Sequence, residues 1–246
     1  MKIEDLYSIK GKTIIITGCT SGIGLELAKG FSKNGAYVIG ISRSKPKEKL
    51  ILSRFFKCDI TDETNLELIV QEIRSQKIKI DALLNVAGIS INITNDHNEL
   101  SRFDQTFDTN LRSMFNIINK LKPYFVNGSS IINFSSIGGK LGFPNNPSYC
   151  ASKGAVISLS RALANDLGTK NIRVNCIVPG YFYTKMTKLS FLNEKERKIR
   201  EKRTMLGRWG NLNELLGASI FLASDASSYM TGTELTIDGG WSSKGL

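Results

Sequence analysis

Short apolar runs alternate with amphipathic stretches along the chain. The runs are rich in β-branched residues and bounded by turn signals, which is typical of buried strands, whereas the stretches between them carry apolar residues at helical spacing. Seven strands are predicted, at residues 12–17, 36–42, 54–58, 80–84, 129–134, 172–178 and 235–237. Because strands separated by helices form parallel sheets with right-handed crossovers, the pattern predicts an α/β fold. Its core would be one doubly wound parallel sheet of about seven strands with helices on both faces.

Two of the predicted helices carry further sequence signals. One begins near residue 61, where Thr61 is the expected N-cap. A longer one is predicted over residues 107–126, with Leu111, Phe115 and Ile118 on one face.

Polar and small residues directly follow several predicted strands. In doubly wound sheets, ligands bind in the crevice at the carboxyl ends of the strands. We therefore expect one rim of the sheet to gather a glycine-rich loop together with Asp59, Asn85, Ser136 and Pro179-Gly180.

Composition favours one domain that spans residues 1–246. A chain of 246 residues can bury a substantial core as a single unit, and no Pro-rich, Ser/Gly-rich or repeated stretch divides it. The first residues lack the apolar core of a signal peptide, and no apolar run approaches the roughly 20 residues of a membrane helix. We expect a cytoplasmic protein with no membrane partner.

The cysteines and the single histidine give no metal-binding pattern. The four cysteines are scattered, as in a cytosolic protein with reduced thiols, and His97 lies in a polar run. We expect no metal site. A Ser-His-Asp triad would have to use His97, and no nucleophile motif points to it.

Tyr149 and Lys153 form the most informative local pattern. They lie four residues apart in a predicted helix over residues 147–167, so they share one face. A neighbouring ammonium favours the phenolate and is expected to lower the pKa of the tyrosine. This makes Tyr149 a candidate proton donor or acceptor. An ordinary surface pair is the alternative.

A glycine-rich turn follows the first strand and opens a helix. Glycines let the backbone approach a pyrophosphate, and the helix N-terminus offers free N–H groups and positive potential. The spacing is Gly-x-x-x-Gly-x-Gly, and a tight turn without a ligand remains the alternative. The candidate phosphate-binding residues are Gly18, Cys19, Thr20, Ser21, Gly22, Ile23 and Gly24.

Taken together, these landmarks resemble the short-chain dehydrogenase/reductase family over nearly the whole chain, which implies a Rossmann-like fold. The family's Asn-Asn-Ala-Gly motif is similar to residues 85–88, although Val86 replaces its second asparagine. Its catalytic tetrad resembles Asn110, Ser136, Tyr149 and Lys153. Its remaining cofactor contacts resemble Asp59, Ile60, Asn85, Ala87, Gly88, Pro179, Gly180, Phe182 and Thr184.

The resemblance implies an oxidoreductase that interconverts a secondary alcohol and a ketone. A nicotinamide cofactor would supply the hydride, since no side chain can. Tyr149 would act as acid and base, and Lys153 would hold the nicotinamide ribose. Asn110 would hold a proton-relaying water. Ser136 would polarise the substrate oxygen, with Ser135 as the alternative.

The residues at the end of the second strand favour NADP(H) as the cofactor, and NAD(H) is the alternative. They are Ser42-Arg43-Ser44-Lys45, with no carboxylate to repel the 2′-phosphate. Arg43 can form charge-assisted bonds to that group, and a serine hydroxyl can add another. The alternative is that Arg43 is a solvated loop charge.

Much of the net charge of +11 lies in one stretch, residues 181–210, called the basic segment below. It holds nine basic and three acidic residues and is expected to form a lid over the substrate. The charge suggests an anionic substrate or carrier. Residues 205–210 and 238–241 resemble family members that act on sugar acids and polyols, which implies a sugar-derived hydroxy or keto compound. Alternatives are a 3-oxoacyl-(acyl-carrier-protein) reductase and a simple solvated helix.

Two other classes of function, a dinucleotide sensor and a nucleic-acid-binding protein, have less support in the sequence. A dinucleotide-sensing regulator has no need of the complete tetrad, and nucleic-acid binding lacks aromatic residues interleaved with the charges. The family resemblance implies a homotetramer, or a homodimer. Candidate interface residues are Met114, Phe115, Ile157 and Leu159, although core packing explains them equally well.

Overall fold

A computed structural model describes residues 2–46, 52–91 and 99–245, so His97 lies outside the described residues. Seven parallel strands form one sheet in the order β3-β2-β1-β4-β5-β6-β7, which confirms the predicted fold. The strands are β1 (Thr13–Thr17), β2 (Tyr37–Ser42), β3 (Arg54–Lys57), β4 (Ile80–Asn85), β5 (Phe125–Phe134), β6 (Arg173–Pro179) and β7 (Glu234–Ile237).

Helices cover both faces of the sheet. Those in the described ranges are α1 (Ile3–Leu6), α2 (Gly22–Lys33), α3 (Glu63–Ser75), α4 (Glu99–Phe107), α5 (Ser113–Leu121), α6 (Pro147–Gly168), α7 (Lys188–Leu192), α8 (Glu194–Arg203) and α9 (Glu214–Ala223). A π-helical turn (Asp108–Arg112) joins α4 to α5, and 3₁₀ turns occupy Lys122–Tyr124, Ile137–Gly139 and Asp225–Ser227. In the described part of the chain, no helix has the length and apolarity needed to span a membrane.

Each face of the sheet has its own core. On one face, α3, α5 and α6 pack against the strands, and on the other face α2 and α9 do so. Successive residues of β1 alternate between them: Ile15 belongs to the first core, and Ile14 and Ile16 belong to the second. Because both faces are buried, the strands read as continuous apolar runs.

The strand order reverses between β1 and β4. The chain proceeds from β1 outward to β2 and β3, then returns to place β4 on the other side of β1. The connections diverge at this point and leave a crevice at the carboxyl ends of the strands. The predicted site residues were expected along this rim.

Two details of the predicted helices were wrong. The N-cap of α3 is Asp62 and not Thr61, because the Asp62 carboxylate accepts hydrogen bonds from the backbone N–H groups of Thr64 and Asn65. Of the predicted helix over residues 107–126, the π-helical turn occupies Asp108–Arg112, α5 ends at Leu121, and residues 125–126 belong to β5. The π-helical turn shifts the apolar face, so Phe115 is 44% exposed.

Replacing Asp62 with alanine should destabilise the protein, because two N–H groups at the start of α3 lose their acceptor. Loss of an N-cap in a domain of this size should lower Tm by about 2–4 °C. Thermal unfolding followed by circular dichroism measures the shift.

Thr61→Ala is the matched control, because Thr61 does not cap the helix. Its hydroxyl bonds only to the Asp59 carboxylate, at 2.8 Å. A larger loss of Tm in Thr61→Ala than in Asp62→Ala would contradict the assignment of the cap.

Candidate active site

A cavity of about 700 Å³ opens along the rim where the strand order reverses. Its volume is within the range of roughly 300–1,000 Å³ typical of ligand pockets. Of the residues predicted for the site, it is lined by Gly18, Thr20, Ser21, Gly22, Ile23, Gly24, Ser42, Arg43, Asp59, Ile60, Ala87, Gly88, Tyr149, Lys153, Pro179 and Thr184. This cavity is called the cleft below.

The glycine loop is shaped by close backbone approach. Gly18 has φ +72°, and a Cβ there would lie 3.0 Å from the backbone of Ala87. A Cβ on Gly24 would overlap the carbonyl oxygen of Gly18. Helix α2 begins at Gly22 without a side-chain cap from Ser21, so its first N–H groups have no side-chain acceptor. An uncapped helix N-terminus at the cleft fits the phosphates of a dinucleotide.

The β2 end of the cleft carries hydroxyl groups and cations. The hydroxyl of Thr20 lies 2.7 Å from that of Ser42 and 3.4 Å from that of Ser44. Arg43 lies 3.8 Å from the Asp59 carboxylate and its side chain is 64% exposed, so the guanidinium is accessible. Lys45 also lines the cleft. These donors suit a phosphate on the adenosine ribose.

Tyr149 and Lys153 lie on the first turns of α6 at the other end of the cleft. Pro147 is at the first helical position, where its missing N–H costs nothing. The Lys153 side chain reaches into the sheet, where Nζ donates a 2.8 Å hydrogen bond to the carbonyl oxygen of Phe134. Nζ lies 5.9 Å from the centre of the Tyr149 ring.

Burial dominates the protonation of both groups. It lowers the pKa of Lys153 to about 8, while the Cys176 thiol acts in the opposite direction. Tyr149 is partly exposed and lines the cleft. Burial raises its pKa, and a hydrogen bond with Ser136 opposes that rise. In the protein alone, therefore, the expected lowering of the tyrosine pKa by Lys153 is not met.

Two neighbouring serines have different partners. Ser135 donates its hydroxyl proton to the carbonyl oxygen of Lys153 at 2.7 Å. Ser136 accepts a 3.1 Å bond from the N–H of Gly138 and bonds with Tyr149. Ser135 lines the cleft and Ser136 lies just behind it. Ser136 remains the better candidate for the substrate oxygen, because the Ser135 proton is already engaged.

Asn110 lies in the π-helical turn and is fully buried. Its carboxamide accepts a bond from the N–H of Ile89 at 2.8 Å and donates to the Ile89 carbonyl at 2.9 Å. A Cβ on Gly88 would lie 3.2 Å from Asn110 Oδ1 and 3.3 Å from Lys153 Nζ. Asn110 therefore fixes the segment after β4 beside Lys153, and the predicted water-holding role stays a prediction.

Some predicted residues lie behind the cleft instead of lining it. Cys19 is fully buried in the core with α2, where burial raises its pKa to about 11. Asn85 donates to Asn133 at 2.9 Å within the sheet. Phe182 is buried against Gly210, and Gly180 faces Asp238. Their predicted contacts with a cofactor stay predictions.

The cleft also includes residues that the sequence analysis did not assign. These are Leu25, Ile41, Cys58, Val86, Ile89, Thr109, Phe134, Lys185 and Met186. Several of them end a strand or follow one directly. The expectation that ligands bind at the carboxyl ends of the strands could therefore have identified them. Val86 keeps the backbone role of its motif, since its N–H donates to the Thr17 hydroxyl at 3.1 Å.

A doubly wound sheet with a glycine loop and a buried Tyr-Lys pair along one crevice defines a Rossmann-like protein with a nucleotide-sized cleft. The family model described as enoyl-(acyl carrier protein) reductase matches residues 18–242. The chain belongs to the short-chain dehydrogenase/reductase family, and the predicted class of oxidoreductase is confirmed.

Named relatives cover almost the whole chain. A 2-dehydro-3-deoxy-D-gluconate 5-dehydrogenase from Pseudoalteromonas atlantica is 35% identical over 96% of this chain and 98% of its own length. A 3-oxoacyl-(acyl-carrier-protein) reductase from Thermotoga maritima is 34% identical over 94% and 98%. The crystal structure of a gluconate 5-dehydrogenase from Burkholderia cenocepacia, in complex with NADP and tartrate, has a TM-score of 0.91. It is 30% identical and covers 99% of this chain and 100% of its own.

The buried ammonium of Lys153 makes stability depend on pH. In the unfolded chain this pKa is 10.5, and in the folded protein it is about 8. Between these values the unfolded state binds more protons, so stability rises with pH. The unfolding free energy of the wild type, relative to Lys153→Met, should rise by on the order of 2–3 kcal/mol from pH 7 to pH 10.

Urea unfolding at the two pH values measures this difference. Lys170→Met is the control, because Lys170 is exposed and its removal should leave the difference flat. If the Lys153→Met difference is as flat as that of the control, the lysine is not buried as a cation.

Proposed function

We propose that the protein is an NADP(H)-dependent oxidoreductase that interconverts a secondary alcohol and a ketone, with Tyr149 as the acid and base. The observation that carries the proposal is that the Tyr149–Lys153 pair and the glycine loop line the same cleft. A nicotinamide cofactor supplies the hydride when it is bound. The residues of the chain bind, orient and transfer the proton.

Different residues along the cleft would contact different parts of the cofactor. The glycine loop and the N-terminus of α2 would hold the pyrophosphate, and Asp59 and Ile60, which also line the cleft, would contact the adenine ring. Pro179 and Thr184 line the cleft beyond β6 and would contact the nicotinamide carboxamide. Lys153 would hold the nicotinamide ribose.

The proton chemistry follows from burial. Tyr149 keeps its proton at neutral pH, because burial raises its pKa, and it can donate that proton to a carbonyl oxygen. Lys153, with a pKa of about 8, is mostly protonated at pH 7 and stabilises the phenolate that proton transfer leaves. Ser136 donates a hydrogen bond to the same substrate oxygen. Alcohol oxidation reverses these roles.

The β2 end of the cleft supports NADP(H) as the cofactor. Arg43 and Lys45 supply positive charge, and the Thr20, Ser42 and Ser44 hydroxyls cluster beside them. The Burkholderia relative crystallised with NADP supports the same preference. Asp59, the nearest carboxylate described here, is already opposite Arg43 and does not exclude a phosphate.

The substrate is best explained as an anionic, sugar-derived hydroxy or keto compound. Relatives named for gluconate and 2-dehydro-3-deoxy-D-gluconate cover nearly the whole chain, and the basic segment would attract a carboxylate. A 3-oxoacyl-(acyl-carrier-protein) reductase is the second candidate, because relatives at 34% and 35% identity carry that name.

Other readings have less support. A non-catalytic sensor would not need Ser136, Tyr149 and Lys153 together. Nucleic-acid binding is disfavoured because charges of α8 are neutralised within the helix by ion pairs four residues apart: Lys198–Glu194, Arg200–Glu196 and Arg197–Glu201.

We also infer a cytoplasmic homotetramer, or a homodimer. Of the four candidate interface residues, Met114 and Ile157 are buried in the core of the chain itself. Phe115 is 44% exposed and Leu159 is partly buried, so these two could contact a partner. The exposed side chains of Leu100 and Phe103 on α4 extend the same apolar region along the chain.

Tyr149→Phe should lower kcat by about 10²- to 10⁴-fold, because the ring remains but the transferable proton is lost. The measurement is NADPH oxidation with 5-keto-D-gluconate and, separately, with a 3-oxoacyl carrier-protein substrate. NADPH affinity, measured by fluorescence titration, should stay unchanged.

The matched control is Tyr183→Phe, which removes a hydroxyl from an exposed tyrosine of the basic segment. Turnover by Tyr149→Phe at the rate of this control would reject the mechanism. The substrate that the wild type reduces with the higher kcat/KM decides between the two candidate activities.

Arg43→Ala should weaken NADPH binding by about 10- to 100-fold, because charge-assisted bonds to the 2′-phosphate are lost. NADH binding should be unchanged, since that cofactor has no such phosphate. Titration of both cofactors measures the change.

Arg74→Ala, an exposed arginine on α3, is the control for a general charge effect. Equal losses for the two cofactors in Arg43→Ala would show that Arg43 does not read the phosphate.

A further inference from the structure

A cluster of three aromatic rings begins beside Tyr149. A Cβ on Gly138 would lie 3.0 Å from the ring of Phe143 and 3.2 Å from that of Tyr149, so the two rings meet there. Tyr181 stacks 6.2 Å from Phe143, and Trp241 contacts both rings edge-on at 5.4 and 6.3 Å. These three rings are not among the residues that line the cleft. They form a separate wall, called the aromatic wall below.

Helix α8 places two guanidinium groups against this wall. Arg200 lies 5.0 Å from the centre of the Tyr181 ring, and Arg203 lies 4.5 Å from the centre of a Trp241 ring. Arg200 is already paired with Glu196 at 3.1 Å. In the ranges that the structure describes, no carboxylate lies within ion-pair distance of Arg203.

Arg203 differs from the other arginines of the basic segment, because no carboxylate of the described residues pairs with it. The other three arginines of the basic segment each face a carboxylate, in the pairs Arg197–Glu201, Arg200–Glu196 and Arg208–Glu214. Arg203 is the last residue of α8, where the helix dipole favours a cation. The dipole does not explain why its guanidinium lies over the Trp241 indole of the aromatic wall.

A guanidinium that stacks on an aromatic ring is preorganised to bind an anion. Stacking on an indole holds the planar group in place while its edge N–H donors stay available, and these donors match the two oxygens of a carboxylate. The Nε1 of Trp241 is buried and has no acceptor among the described residues. The donors available to an anion are therefore those of the exposed Arg203 guanidinium, which has no carboxylate partner among the described residues.

The C-terminal turn fixes the indole beneath α8. The Asp238 carboxylate accepts bonds from the N–H groups of Gly240 and Ser242, each at 2.8 Å. The N–H of Leu206, just beyond α8, donates to the carbonyl of Gly239 at 3.1 Å. Because these bonds set the position of Trp241 before any substrate arrives, little ordering is left for binding.

We propose that Arg203, stacked on Trp241, is a specificity-determining residue that binds the carboxylate of the substrate. This rests on the proposed function, in which Tyr149 handles the reacting oxygen at the other end of the same molecule. The substrate class is then a hydroxy or keto acid whose carboxylate lies several carbons from the reacting carbon. A neutral polyol would lack the group that Arg203 binds.

Binding to the NADP-loaded enzyme tests the proposal without relying on turnover. The probes are D-gluconate and its neutral counterpart D-glucitol, titrated by calorimetry. Arg203→Met should weaken D-gluconate binding by about 10- to 100-fold and leave D-glucitol binding unchanged, because one charge-assisted contact is lost. Arg203→Lys should retain part of the affinity, since it keeps the charge but loses the fork of donors.

Arg197→Met is the matched control. Arg197 lies on the same helix and also stacks on a ring, 5.5 Å from Phe191, but it faces Glu201. Its loss should leave D-gluconate binding unchanged. In turnover of 5-keto-D-gluconate, the Arg203→Met defect should appear in KM more than in kcat.

Three results would overturn the proposal: unchanged D-gluconate binding in Arg203→Met, equal loss of both probes, or no D-gluconate binding by the wild type. Its failure is distinct from failure of the proposed function. If only the Arg203 proposal fails, turnover still depends on Tyr149. If only the Tyr149 mechanism fails, D-gluconate binding still depends on Arg203.

Discussion

The carboxyl-end rim of the sheet is organised around the buried ammonium of Lys153. Lys153 is 5% exposed, and its ammonium donates to the carbonyl oxygen of Phe134 at the carboxyl end of β5. Burying a charge is costly unless it is hydrogen-bonded, and the lowered pKa of about 8 reflects that cost. Burying the Lys153 charge therefore lowers the stability of the fold, a cost that is typical of functional sites. The position of Tyr149, one turn earlier on α6, follows from the anchored lysine.

The rest of the rim is arranged around this pair. Gly88 leaves room for Asn110 and Lys153 to approach each other, and Asn110 holds the segment after β4 through both backbone groups of Ile89. The reversal of strand order between β1 and β4 opens the crevice that joins these residues to the glycine loop. Tyr149 therefore lines a cleft suited to a dinucleotide and also lies beside Phe143 of the aromatic wall.

Much of this could be predicted from the sequence because it depends on local patterns. The apolar runs located all seven strands, and their ends located most of the cleft. The π-helical turn could not be predicted, since residues 107–126 have unbroken helical periodicity. The sign of the Tyr149 pKa shift depends on burial by distant segments. The contact between Arg203 and Trp241 joins residues far apart in sequence, which no spacing rule predicts.

The most direct test of the account is the pH dependence of turnover in both directions. A phenol that gives its proton to a ketone and takes it from an alcohol must produce opposite profiles. With saturating cofactor, kcat for ketone reduction should fall and kcat for alcohol oxidation should rise as pH increases through the tyrosine's titration. Profiles with the same slope in both directions, or no pH dependence in either, would contradict the role of Tyr149.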